Sequence, residues 1–192
     1  ENWPVMQPLL ANPALKPAPS DIALSRDLFQ ELLEIRYSSP LFRLRSAQDV
    51  QSRLTFLNTG PSQIPGLIVM DLSDHVNPDL DPNFDRVVVL LNANDESQTF
   101  ASPFAGSDLQ LHPVQQGSVD AVVKTASFDA TTGAFSLPAR TVAVFVEPEP
   151  APITVTLPLL ADTWVNGGAT TTNYNGYAAL IARTTGLDNV LL

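Results

Sequence analysis

Apolar and polar positions divide the chain into four stretches. Over residues 21–37 the apolar residues recur at helical spacing. Leu24, Leu28, Leu32 and Ile35 form one stripe, and Ile22, Phe29 and Leu33 form a second beside it. Ser20 or Asp21 suits the N-cap, and Pro40 closes the helix because its ring cannot continue the hydrogen-bond ladder. Two adjacent stripes make an apolar arc wider than one neighbour needs, which predicts a helix packed against two bodies. Ahead of it, Pro4, Pro8, Pro13, Pro17 and Pro19 forbid a sustained helix, so residues 1–20 are expected to form a long loop wrapped on something larger.

From residue 45 the pattern shortens to that of strands. Candidate strands are 53–58, 67–72, 86–91, 98–101, 109–111, 126–129, 134–137 and 141–146, separated by Pro, Gly, Asn and Asp turn signals. The clearest hairpin runs from Phe128 to Phe135, with Gly133 suited to a positive φ. So many short strands in about 100 residues predict a mainly β fold, a Greek-key β-sandwich. Glu147-Pro148-Glu149-Pro150-Ala151-Pro152 reads as an extended, semi-rigid spacer. The expected organisation is therefore a helical arm at 1–44, a sandwich at 45–147, a Pro-rich linker at 148–152 and a further β-rich unit at 153–192. The chain opens on Glu1 and stops at Val190-Leu191-Leu192, inside an apolar run, so both ends are expected to be cut.

Composition narrows the function classes. The chain has 192 residues, 44% hydrophobic and 16% charged, enough to bury one core. Its net charge of −10 would repel a phosphate backbone, which excludes nucleic acid as a partner but not neutral sugars. Residues 45–147 alone carry 12 acidic and 5 basic side chains. The absence of Cys excludes a disulfide scaffold, a thiolate zinc site and a Cys nucleophile. No apolar run approaches the roughly 20 residues of a membrane span, and no signal-peptide pattern opens the chain.

Candidate chemistry is sparse. Asp71, Asp74, Asp79, Asp81, Asn83 and Asp85 lie close together, and Asp81, Asn83 and Asp85 have the 1-3-5 spacing that opens an EF-hand calcium loop. Position 6 of that loop would be Arg86 instead of Gly and position 12 Asn92 instead of Glu. Asp79, Asp81, Asn83 and Asp85 are thus calcium candidates set against a solvated turn built on Asp and Asn chemistry. His75 lies among these carboxylates. His112 precedes Pro113, with Ser118 and Asp120 nearby, but no nucleophile elbow accompanies them. No glycine pattern for phosphate binding occurs. Trp3 and Trp164 could stack on sugar rings, but a lone aromatic is not a platform, and Trp164 suits a core position of a new β unit.

Further along, the order of short motifs carries a resemblance. Arg36-Tyr37-Ser38-Ser39-Pro40-Leu41-Phe42-Arg43-Leu44, Phe56-Leu57-Asn58-Thr59-Gly60-Pro61 and Ile64-Pro65-Gly66 stand in sequence. Asp79-Leu80-Asp81-Pro82-Asn83-Phe84-Asp85, Leu111-His112-Pro113-Val114-Gln115 and Pro138-Ala139-Arg140-Thr141 follow them. Residues 1–147 resemble, collinearly, the tail of pullulanase-type α-1,6-glucosidases of the α-amylase superfamily, glycoside hydrolase family thirteen. The resemblance implies an amylase-type C-terminal sandwich preceded by the last helix of a (β/α)8 barrel. It places the catalytic Asp, Glu and second Asp upstream of Glu1, so no residue here inherits a catalytic role and the chain needs no cofactor of its own. The implied partners are the catalytic barrel of the same polypeptide and, for the parent, an α-glucan. Residues 161–192, through Ala161-Asp162-Thr163-Trp164-Val165-Asn166-Gly167-Gly168 and Thr171-Thr172-Asn173-Tyr174, resemble the opening of a DNRLRE-type β-domain. That resemblance implies an extracellular or cell-surface protein.

The rival reading is a non-catalytic extracellular β-sandwich binding or adhesion module with a self-contained fold and clustered aromatics on one face. Aromatic residues make up only 7% and are dispersed, which favours the support role. On that reading residues 1–192 expressed alone expose the arc of helix 21–37 and are prone to associate. Hydrophobic-dye binding and sedimentation check this: a monomer that binds little dye would refute it.

Overall fold

The computed structural model describes residues 2–150. Helices α1 (Trp3–Ala11), α2 (Pro19–Ser38) and α3 (Ala47–Arg53) precede the strands β1 (Leu54–Phe56), β2 (Leu67–Ser73), β3 (Phe84–Asn92) and β4 (Gln98–Ala101). They are followed by β5 (Gln110–Leu111), α4 (Pro113–Gln116), β6 (Ser127–Asp129), β7 (Ala134–Leu137) and β8 (Thr141–Pro148). The strands make a five-stranded sheet in the order β1-β2-β3-β8-β5 and a three-stranded sheet in the order β4-β7-β6, antiparallel throughout. β8 lies beside β3 although four strands intervene in sequence, the crossing order of a Greek-key sandwich.

Alternation along the strands sorts side chains between two cores. On the inward face, Leu67 and Val69 of β2, Val88 and Leu90 of β3, and Ala143 and Phe145 of β8 meet Phe135 and Leu137 of β7. Phe135 is the hub: its ring centroid lies 4.7 Å from that of Phe128, 5.0 Å from Phe145 and 6.5 Å from Phe104. On the outward face, Leu72, Val87, Val89, Val144 and Val146 meet Ile35 of α2 and Leu41 of the 3-10 turn Pro40–Arg43. β3 and β8 are therefore buried on both faces, which explains their unbroken apolar runs at Val87–Leu90 and Ala143–Val146. Where β5 ends, the Gln115 side chain completes the edge of β8: its Oε1 accepts the Val144 N–H at 2.7 Å and its Nε2 donates to the Val142 carbonyl at 2.8 Å.

The structure corrects the sequence reading in several places. Residues 1–20 are not a loop throughout: α1 forms there, and a 3-10 turn covers Pro13–Leu15. Pro4 lies in the first turn of α1, where its missing N–H has no partner to lose, and Pro8, inside the helix, removes the bond to the Pro4 carbonyl and crowds that oxygen. α2 starts earlier than expected, with Ala18 and not Ser20 or Asp21 at the cap. Pro19 is the first helical residue, and the Asp21 carboxylate accepts the Ala18 N–H at 2.9 Å. Residues 47–53, of which Arg53 was expected to open a strand, form α3, capped by Ser46 accepting from the Asp49 N–H at 3.0 Å. β8 continues through Pro148, opposite Phe84, and the Glu149 N–H donates to the Asn83 carbonyl at 2.9 Å. The expected linker therefore still belongs to the sandwich at its first residues. The unit expected at 153–192, Trp164 included, lies outside the described residues.

Phe135→Ala removes the hub of the inter-sheet core and should cost about 3–5 kcal/mol. Urea denaturation followed by circular dichroism should show a lower midpoint with an unchanged slope.

Candidate functional site

The acidic turn is organised around an arginine. Arg53, at the end of α3, is buried and its guanidinium pairs with the Asp74 carboxylate while also donating to the Pro78 carbonyl. The other Asp74 oxygen accepts the N–H groups of Leu80 and Asp81 at 2.9 and 2.6 Å. Burial pushes the Asp74 pKa up, while those two N–H groups and Arg53 pull against it. Asp81 is buried, and its Oδ1 accepts the Asn83 N–H at 3.0 Å in an Asx turn. Asp79 and Asn83 face solvent, and Asp85 already belongs to β3. Among the described residues no three His, Asp or Glu side chains converge to hold a metal ion. The spacing of Asp81, Asn83 and Asp85 is used to turn the chain into β3.

A second charged group closes one end of the inter-sheet core. Asp71, Arg86 and Glu147 extend the inward-facing rows of β2, β3 and β8. Arg86 Nε lies 3.2 Å from Asp71 Oδ1, Arg86 Nη1 lies 3.5 Å from Glu147 Oε2, and His75 Nε2 lies 3.3 Å from the same Glu147 oxygen. The guanidinium also covers the Phe104 ring at 4.2 Å. Burial of Asp71 outweighs the opposing pull of Arg86 and raises its pKa to about 6. These groups seal hydrocarbon from water.

His112 is 2% exposed and ties α2 to the sandwich. Its Nδ1 accepts the Val114 N–H at 3.2 Å, so in the neutral ring the proton resides on Nε2, which donates to Ser38 Oγ at 2.9 Å. Ser38 in turn donates to the Ile35 carbonyl at 2.8 Å. Both protons point away from the direction that nucleophile activation would require, so this Ser–His pair is a fastener. Ser118 and Asp120, the sequence candidates for a triad with His112, instead bond within their own turn: the Asp120 N–H donates to Ser118 Oγ at 3.0 Å. Glu31 adds a further tie from α2, accepting the Val119 N–H at 3.1 Å.

Beyond these ties α2 is bare. Among the described residues none before Ile35 is buried. Ile22, Leu24, Phe29, Leu32 and Leu33, five members of the two stripes, are exposed, with Phe29 at 62%. On α1, Trp3, Val5, Met6, Leu9 and Leu10 are exposed as well, so Trp3 belongs to an apolar helical surface and not to an aromatic platform. A 20-residue helix gains most of its stability from packing. This one packs against the sandwich only at its C-terminal end.

Among the described residues, fold and site together define a β-sandwich with a bare helical arm, whose buried polar clusters hold the fold. The model of the family described as alpha-1,6-glucosidases, pullulanase-type, C-terminal, matches residues 1–148, and the chain belongs to that family. It is 45% identical over 152 residues to pullulanase 1, chloroplastic, of Arabidopsis thaliana, covering 76% of this chain and 16% of that protein. It is 38% identical over 135 residues to a pullulanase of Klebsiella pneumoniae, covering 69% of this chain and 12% of that protein. Among solved structures, PulA from Klebsiella oxytoca matches with a TM-score of 0.66 at 36% identity, covering 76% of this chain and 14% of that one. The chain thus spans less than a fifth of the length of the relatives it matches.

The residues that matter most here were not singled out from sequence. Ser38, Arg53 and Gln115 act through partners 74, 21 and 29 positions away, and only Ser46-x-x-Asp49, a capping pattern, could have placed Arg53 on a helix.

Burial lowers the His112 pKa from 6.5 to about 4. The neutral ring therefore stabilises the fold above about pH 6.5, and that stability is lost as pH falls from there toward 4, by at most about 3 kcal/mol. Asp71 acts with the opposite sign, since its raised pKa favours the fold as pH falls below about 6. The difference between the native chain and His112→Gln, from denaturation at pH 7, 5.5 and 4, isolates the histidine. It should be large at pH 7 and shrink at pH 4.

Proposed function

We propose that this chain is the non-catalytic C-terminal part of a starch or pullulan debranching hydrolase that cleaves α-1,6-glucosidic bonds. On this reading α2 is the last helix of the catalytic barrel and the sandwich supports that barrel from outside. The observation that carries it is the bare arm. No described residue before Ile35 is buried, yet the helix carries two apolar stripes, at roughly 1.5–3 kcal/mol for each large side chain fully buried. Membership of a C-terminal family whose relatives are several times longer supports a body ahead of Glu1 as the missing cover. The α-glucan would be bound by that body. An extracellular or cell-surface location is part of the same proposal, supported by the DNRLRE-type resemblance of 161–192.

The complete reading frame tests it. The upstream sequence should show a (β/α)8 pattern with an Asp, a Glu and a second Asp at strand ends, two of the carboxyl groups standing about 5–5.5 Å apart. The full-length protein should release reducing ends from pullulan and residues 1–192 should not. Phe29→Asp with Leu32→Asp should leave the melting temperature of 1–192 unchanged, since both side chains are exposed, and lower that of the full-length protein. A full-length protein inactive on α-1,6 linkages would refute the reading.

A further inference from the structure

The register of β3 against β8 slips by one residue between Phe84 and Arg86. Phe84 packs with the outward group, while Arg86 continues the inward row of Val88 and Leu90. The bulge thus ends the inward row of β3 on an arginine. Directly opposite Arg86 stands Glu147, the last residue of β8 but one. On the other flank Arg86 faces Ser73 of β2, and Asp71 lies two positions along, at the diagonal distance a long side chain spans. One guanidinium therefore serves two carboxylates on two different strands.

It is locked to neither. Arg86 Nε and Asp71 Oδ1 lie 3.2 Å apart, yet both atoms are enclosed and neither has an aligned hydrogen-bond partner among the described residues. Arg86 Nη1 reaches Glu147 Oε2 at 3.5 Å. These are charges in contact without the parallel bonds that fix a guanidinium fork. The face of Phe104, 4.2 Å away, attracts the cation without fixing its direction. His75 Nε2 lies 3.3 Å from the same Glu147 oxygen, a pair that is ionic only when the ring is protonated. Arg86 and Glu147 keep only 15% and 17% of their side-chain surface in water, so a charge left over in this group is poorly screened.

We propose that these four side chains form a proton-operated clasp on the end of β8, in which Arg86 passes from Asp71 to Glu147 as Asp71 is neutralised. The charged and titratable groups facing Asp71 are Arg86 of β3, His75 of the turn after β2, and Glu147 of β8. With Asp71 ionised, two carboxylates compete for one half-enclosed guanidinium. With Asp71 neutral, Arg86 serves Glu147 alone, and a protonated His75 adds a second cation to the same oxygen. Burial holds the Asp71 pKa at about 6, against 3.8 in an open chain. The folded state therefore takes up the proton first, and the end of β8 is held more tightly as pH falls through 6.

The unsubstituted chain tests the clasp without a variant. An NMR titration of the Arg86 Nε–H resonance between pH 7.5 and 5 should show a shift with its midpoint near 6. Asp71→Asn should abolish that midpoint and His75→Gln should leave it in place. No midpoint, or one that survives Asp71→Asn or is lost with His75→Gln, would overturn the proposal. Hydrogen exchange over residues 142–149 of the full-length protein, corrected for the intrinsic rate at each pH, gives a second measurement. In a His75→Gln background, Glu147→Gln should speed exchange several-fold more at pH 5 than at pH 7.5. Adding Asp71→Asn should make the two pH values alike. An equal effect of Glu147→Gln at both pH values with Asp71 intact would show that Arg86 does not change partner, and the clasp would fall.

Discussion

The fold depends on burying β3 and β8 from both sides. Their central residues, Val87–Leu90 and Ala143–Val146, are apolar without alternation, so neither face of the strand pair tolerates water. One face is closed by β7 and its phenylalanine cluster, the other by Ile35, Leu41 and the residues around them. Three layers follow from this: a small sheet, a large sheet and the end of a helix. The third layer is narrower than the sheet it covers.

Polar residues make the layering specific. Gln115 completes the edge of β8, His112 and Ser38 pin α2 to the segment after β5, and Arg86 closes the end of the inter-sheet core. Arg53 and Asp74 fix the turn between β2 and β3 from a helix outside both sheets. A buried ion pair of this kind adds little net stability but is costly to break, because the surviving charge has no solvent. Every cluster that looks chemical in the linear sequence, whether the acidic run or the His–Ser neighbourhood, is consumed in this way.

Much of the sandwich was legible because its strands are short and bounded by strong turn residues. The segments at Gln98–Ala101 and Ala134–Leu137 coincide with their sequence expectation, and the hairpin joining β6 to β7 turns on Gly133 at φ 72° as its position requires. The misses have local causes. α1 escaped because prolines were counted without asking where in a helix they fall. Pro4 costs nothing in a first turn, and a single interior Pro8 disturbs one turn without ending the helix. α3 escaped because seven residues give too few turns for periodicity to register. The 1-3-5 spacing of Asp81, Asn83 and Asp85 could be read two ways, and the structure shows Asp81 serving an Asx turn.

The sequence by itself determined the element types, the strand-dense sandwich, the amphipathic arm and membership of a family whose motifs stand in one order along the chain. These are properties of local pattern and spacing, which survive without knowledge of contacts. Only the tertiary structure decided that α2 is covered at its C-terminal end alone, which carboxylates are spent on Arg53 and Arg86, and that His112 donates to Ser38. Those facts depend on residues brought together from distant positions by strand order and register, and a linear pattern carries no record of which strands become neighbours.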